Sequence, residues 1–179
     1  DAVLALKHQH GFTHRDIRKV RIATYKGGLD IVNNLHPEGD YQAKFSIQYT
    51  VAHALVHGSV RLNAFAPERL GDADVRALMQ KIECVADAEL SKAFPRQRAA
   101  RVEIELADGR KLAHFQPTRK GDPEMPLSDD ELNDKFIELA APVVGEPAAR
   151  ALLDRLWRLE AEKNMDFEPV ERTAVRVAS

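Results

Sequence analysis

The chain has 179 residues, 44% of them hydrophobic and 30% charged, with a formal net charge of −2. That length suits one domain with a substantial core and leaves two full domains cramped. No apolar run approaches the roughly 20 residues of a membrane span, and Lys and Arg are dispersed among Asp and Glu, so neither a membrane role nor nucleic-acid binding is expected.

The chain opens Asp1, Ala2, Val3, Leu4, already in a helical pattern, with no Ser, Thr or Asn ahead to cap it and no basic stretch before an apolar one. It is expected to lack a signal peptide and to be a fragment of a longer protein. The first helix is predicted from Asp1 to His10, with Gly11 as its stop. Ile17, Val20, Ile22 and Tyr25 alternate with Arg18, Lys19, Arg21 and Thr24 as in a half-solvated strand, ended by Gly27 and Gly28. Asp30 to Asp40, with Asn33, Asn34, Pro37 and Gly39, predicts a long exposed loop feeding a helix that carries Tyr49 and ends at Gly58.

Asn63 to Leu70 is expected to be irregular. Asp72 or Asp74 is expected to cap a short helix through Met79, with a strand over Ile82 to Val85. Alternation over Arg101 to Leu106, a turn at Asp108 and Gly109, and a return through Leu112, His114 and Phe115 predict a hairpin. Ser128 followed by Asp129, Asp130 and Glu131 forms a capping box for a helix through about Ala141, which Pro142 and Gly145 are expected to interrupt. A last amphipathic helix is predicted from Pro147 to about Lys163, with a loosely attached tail beyond Asn164. Strands joined by a short turn must be antiparallel. The expected fold is therefore α+β, an antiparallel or mixed sheet of about four strands with helices mainly on one face.

Packing alone does not ask for Lys44, Ser46 and Tyr49 at the mouth of an otherwise apolar helix, since Phe45, Ala52, Leu55 and Val56 supply the buried spacing. The Tyr49 phenol can donate or accept a proton; its alternative is a core tyrosine bonded to backbone. Lys44 and Ser46 stand where free N–H groups and the helix dipole favour an anion such as a carboxylate; their alternatives are a solvated charge and an N-cap. His53 and His57 are four apart, a metal-capable spacing, but Ala54 stands where a zincin needs Glu and no third ligand is indicated, so no metal is expected. Cys84 is the single cysteine, which excludes an internal disulfide and suits a reducing cytoplasm.

The run from Ala43 to Tyr49, followed by Val51, Ala52, Ala54, Leu55 and Gly58, together with Gly121, Asp122, Pro123, Glu124, Met125, Pro126, Leu127 and Ser128, resembles the MmgE/PrpD family. That family includes 2-methylcitrate dehydratases and cis-aconitate decarboxylases, and the likeness is to its carboxy-terminal domain, here residues 1–163. The resemblance implies a small α+β lid facing a large helical domain that this chain lacks. The active site would lie in the cleft between them and work without cofactor, metal or iron-sulfur cluster. Most acid, base and anchoring groups would come from the helical domain and from a His-bearing segment ahead of the first helix. Carried over to this sequence, Tyr49 is the catalytic candidate and Lys44 and Ser46 are the substrate-binding candidates. The implied parent is a cofactor-independent hydro-lyase of propionate metabolism acting on a small polycarboxylate, most simply a 2-methylcitrate dehydratase-like enzyme, with the fragment inactive alone. A cis-aconitate decarboxylase, an amino-dicarboxylate epimerase, and a non-catalytic binding or assembly module are the alternatives. Members commonly pair as homodimers.

Overall fold

The structure is a computed structural model that describes residues 1–162 and Asn164. It divides into two compact units, one from Asp1 to Met125 and a second from Pro126 onward. The expected tail, apart from Asn164, and the expected helix end at Lys163 lie outside the described residues.

In the first unit, β1 (Ile17–Thr24) buries Ile17, Val20 and Ile22 and exposes Arg18, Lys19 and Arg21, as its alternation requires. It is a central strand. A four-stranded sheet runs in the order β2-β1-β3-β4, where β2 is Ile82–Ala86, β3 is Ala100–Leu106 and β4 is Lys111–Gln116. β1 pairs parallel with β2 and antiparallel with β3, and β3 pairs antiparallel with β4. The sheet is thus mixed and the fold α+β. The β3–β4 hairpin closes through Gly109 at φ 88, a left-handed value that favours glycine.

The register places Val20 opposite Ile104 and Ile22 opposite Val102, giving an apolar face. On that side α1 (Ala2–His10) packs on β3, β4 and α4 (Ile47–His57), while α4 also packs on β2 and on α6 (Ala73–Met79). Leu6, Tyr49, Leu55, Val75 and Met79 meet the sheet's Ile17, Val20 and Ile104 in one buried cluster. Each such side chain contributes roughly 1.5–3 kcal/mol by leaving water. The alternate strand positions carry charge: Lys19 pairs with Glu83 at 2.6 Å and Arg21 with Glu103 at 3.5 Å.

The parallel β1–β2 pairing needs a long crossover, and the chain fills it with α2 (Lys26–Val32), α3 (Gly39–Lys44), α4, α5 (Pro67–Leu70) and α6. Two expectations change here. Gly27 and Gly28 lie inside α2 rather than ending a strand in a loop. A Cβ at Gly28 would stand 2.8 Å from the Tyr25 ring, so that glycine lets Tyr25 lie against the helix and stack on Phe94 at 4.6 Å. The stretch after Gly58 is also more ordered than expected, with a 3-10 turn over Leu62–Phe65 followed by α5. A further helix, α7 (Ala88–Ala93), is capped by Asp87, whose side chain accepts from the N–H groups of Glu89 and Leu90.

The second unit holds α8 (Asp129–Val144) and α9 (Glu146–Leu156). Ser128 and Glu131 form the expected capping box. Pro142 does not interrupt α8: its ring withholds one backbone N–H, but it stands only two residues from the end, and the helix continues to Val144 before Gly145 turns at φ 82. The last expected helix ends earlier, at Leu156, with a 3-10 turn over Leu159–Ala161.

Candidate functional site

The helix carrying Tyr49 begins abruptly. α3 stops at Lys44, Ser46 adopts an extended conformation (φ −114, ψ 110), and α4 starts at Ile47. The break turns Ser46 into an N-cap: its Oγ accepts from the Tyr49 N–H at 3.0 Å and donates to the Asn34 carbonyl at 2.5 Å. Ser46 is 1% exposed, and both hydroxyl functions are engaged inside the fold. Beside it, Gln48 donates from Nε2 to Asn33 Oδ1 at 2.6 Å. The α2–α3 connection is thereby tied to the first turn of α4.

Tyr49 is fully buried. Its hydroxyl donates to the Ala64 carbonyl at 2.5 Å, which ties α4 to the 3-10 turn after it. Burial raises its pKa, against the opposing pull of the nearby Arg76 guanidinium, which sits 5.9 Å from the ring centroid. A neutral phenol is therefore the stable form, and a neutral phenol donates hydrogen bonds rather than abstracting protons.

Tyr49, His53 and His57 follow one another at one-turn spacing. The His53 Nδ1 lies 2.9 Å from the Ser59 carbonyl; a carbonyl only accepts, so Nδ1 carries the proton. Burial lowers the His53 pKa and keeps that ring neutral. His57 Nε2 meets Asp72 Oδ2 at 2.9 Å. Asp72 also caps α6, accepting at Oδ1 from the N–H groups of Asp74 and Val75. Burial works to raise the Asp72 pKa, but the bonds from Val75, His57 and Asp74 outweigh it and the value is lowered. The two imidazoles are 4.5 Å apart between centroids. Among the described residues, no group of three His, Cys, Asp or Glu side chains is placed to hold a metal ion.

Lys44 ends α3 with its Nζ 2.9 Å from Asp40 Oδ2 and 5.8 Å from the centre of the Phe65 ring. That ring lies 6.1 Å from the Tyr49 ring, so Phe65 is the neighbour the Lys44 and Tyr49 side chains share. Ser46 joins Tyr49 through the backbone N–H. Sequence reasoning missed Arg76, Gln48 and the Ala64 carbonyl. Arg76 reaches Tyr49 from α6 and is held by Nε donation to the Leu70 carbonyl at 2.7 Å, a long-range contact with no local signature. Asp72 was visible, though only as a cap.

The second family-like stretch is a closed turn. Arg119 grips Asp122 through Nη2 at 2.7 Å and Nε at 3.1 Å, and the Gly121 N–H donates to the Met125 carbonyl at 2.8 Å. Asp122 is an internal clamp and does not pair with Glu124. Cys84 is half-buried, and burial pushes its thiol up to about 11, so it is a poor nucleophile at neutral pH.

A mixed four-stranded sheet under a Ser-capped helix with a buried tyrosine defines a class, an α+β domain built around one polar-mouthed helix. The comparison with known families names it: residues 1–159 match the MmgE/PrpD C-terminal domain, and the chain belongs to that family. It is similar to the mitochondrial 2-methylcitrate dehydratase of Yarrowia lipolytica, at 28% identity over 86% of this chain and 28% of the relative. It is also similar to the cis-aconitate decarboxylase of Mus musculus, at 25% identity over 74% of this chain and 27% of the relative. A cis-aconitate decarboxylase-like protein of Aspergillus oryzae shares 30% identity over 65% of this chain and 24% of its own length. The chain therefore spans about a quarter of the length of these relatives. Among the described residues, no helix is long and apolar enough to cross a membrane.

Proposed function

We propose that this chain is the lid portion of a cofactor-independent lyase acting on a small polycarboxylate, with 2-methylcitrate the favoured substrate. The observation that carries this reading is the match over residues 1–159, with a 2-methylcitrate dehydratase among the similar proteins. Dehydrating a hydroxy-tricarboxylate takes a base for the carbon-bound proton, an acid for the departing hydroxyl and cations for the carboxylates. In this reading most of those groups come from the helical domain, and the lid excludes water from the cleft between them.

Tyr49 enters as a neutral phenol. Its burial and raised pKa argue for a donor that orients a substrate carboxylate or protonates a leaving oxygen, and against a general base. To donate to substrate, the hydroxyl must leave the Ala64 carbonyl. Lys44 would supply positive charge at the mouth of the helix after releasing Asp40. Ser46, with both hydroxyl functions engaged internally, would act by holding the α4 amino end in place.

Decarboxylation of cis-aconitate is the second reading, favoured by similar proteins that carry that name or its like, those of Mus musculus and Aspergillus oryzae among them. Assembly with the helical domain, pairing as a homodimer and a cytoplasmic setting belong to the same proposal, beside a relative whose name places it in the mitochondrion.

The test is Tyr49→Phe in the full-length enzyme, with product analysis on both 2-methylcitrate and cis-aconitate. The expected result is a fall in kcat of at least about 100-fold, the scale of one positioned acid–base group. Unchanged kcat with only a lower melting temperature would make Tyr49 a core residue bonded to Ala64.

A further inference from the structure

The sheet's two edges are treated differently. α2 and α4 both pack on β2, whereas β4 packs chiefly on β3 and on α1, which lies over the apolar face. The Leu106 N–H donates to the Arg110 carbonyl at 2.9 Å, which sets the phase of the hairpin ladder. Even-numbered residues of β4 therefore bond to β3, and Lys111, Ala113 and Phe115 turn their N–H and C=O groups outward. Among the described residues, no backbone hydrogen bond from outside the hairpin reaches these groups. Natural edges are blunted by proline, bulges or lysines. β4 has no proline, its register against β3 is unbroken, and its lysine stands at its first position.

The outward residues are also self-complementary. All three have exposed side chains on the open face of the sheet, while Leu112 is buried and His114 and Gln116 are half-buried. When two β4 strands meet antiparallel about a two-fold axis at Ala113, Lys111 faces Phe115 of the second copy and the two alanines meet at the axis. Each pair exchanges two hydrogen bonds, so the three pairs satisfy every outward group. Arg101 already stands 4.8 Å from the centre of the Phe115 ring. Lys111 of the second copy would flank that ring from the side away from β3, where its π system attracts a second cation. Other axes are worse: one at Lys111 opposes two ammonium groups, and one at Phe115 brings Pro117, which lacks an N–H, into the ladder.

We propose that a second copy of this chain docks on the β4 edge, joining two four-stranded sheets into one across an isologous two-fold axis. A contact one strand wide lies at the small end of interface sizes, so the dimer forms reversibly, with a Kd above about 1 µM. The edge gives a surface to the pairing proposed above and does not rest on the lyase reading.

Sedimentation velocity on the 179-residue chain, from roughly 5 to 500 µM, is expected to show a monomer passing into a dimer. Over the same range, residue-resolved hydrogen exchange should slow several-fold at the amides of Lys111, Ala113 and Phe115 and stay constant at Leu112 and His114, which already bond to β3. Ala113→Pro removes an N–H that β3 does not use and should weaken the dimer at least about tenfold, with the protection of β1 and β3 unchanged. Phe115→Lys, which opposes lysine to lysine, should weaken it similarly, and adding Lys111→Phe to that variant should restore most of the affinity. A monomer at every concentration, or a dimer indifferent to both Ala113→Pro and Phe115→Lys, would overturn the proposal. Slowing of odd and even amides alike, or no rescue by Lys111→Phe, would overturn the axis at Ala113 and the proposal with it.

Discussion

At the scale of single residues, the mouth of α4 trades reactivity for position. Ser46 uses its hydroxyl twice inside the fold, and Tyr49 gives its only proton to the Ala64 carbonyl. Such buried, fully engaged polar groups fix one arrangement and are costly to disturb. His53 makes this measurable. Its folded pKa is depressed by burial below the ordinary 6.5, so above 6.5 both folded and unfolded chains hold it neutral and it imposes no penalty. As pH falls below 6.5 the unfolded chain gains a proton that the folded chain resists, and stability declines. The melting temperature is therefore expected to drop between pH 7.5 and pH 5.5, and His53→Asn should flatten that drop. An identical pH profile in the variant would remove His53 from the account. The residue types at 44, 46 and 49 were conspicuous in sequence because the apolar spacing of the helix could be filled without them; the structure places Tyr49 in the core and Ser46 at the cap. Their partners Asn34, Ala64 and Arg76 were not, since each lies at least 12 residues from its contact and carries no local pattern.

At the scale of elements, legibility followed local chemistry. The β3–β4 hairpin was readable because Val102, Ile104 and Leu106 alternate with charge up to Asp108 and Gly109. Ser128 with Glu131 likewise announced α8. α2 was not readable, because Gly27 and Gly28 are poor helix formers and favour turns. Tertiary contact decides there: the Tyr25 ring stands over Gly28 and α2 packs on β2 and α7. Gly28→Ala gains helix propensity of about 1 kcal/mol but must push aside a ring stacked on Phe94. A net loss of about 1 kcal/mol is expected, given the worth of an aromatic pair and the strain of overpacking. Gly27→Ala meets nothing closer than 4.0 Å and should stabilise by about 0.5–1 kcal/mol. Urea denaturation of both variants checks the contrast, and stabilisation by both would mean that the Tyr25 ring yields freely.

At the scale of the whole molecule, the first unit has its own buried core of sheet, α1, α4 and α6, whereas its candidate site holds one phenol and a lysine already paired with Asp40. The 179-residue chain is accordingly expected to fold in its first unit and to show no dehydration of 2-methylcitrate above background; measurable turnover by purified chain would overturn the lid reading. The α+β class was visible from the order of elements. The parallel partner of β1 was not, because pairing across a crossover of several helices leaves no trace in the neighbouring residues of either strand.

The position of β1 also has a consequence in time. It is made before both of its neighbours, β2 at Ile82–Ala86 and β3 at Ala100–Leu106. On a ribosome adding about 5–20 residues per second, the roughly 80 residues between β1 and the end of β3 take on the order of 4–16 s. For that interval Ile17, Val20 and Ile22 form an apolar strand with at least one open edge, the kind of segment that pairs wrongly with other chains. Arg18, Lys19 and Arg21 are interleaved with it. Before they meet Glu105, Glu83 and Glu103 in the finished sheet, these cations serve as gatekeepers, keeping nascent chains apart by charge repulsion until the proper neighbours emerge.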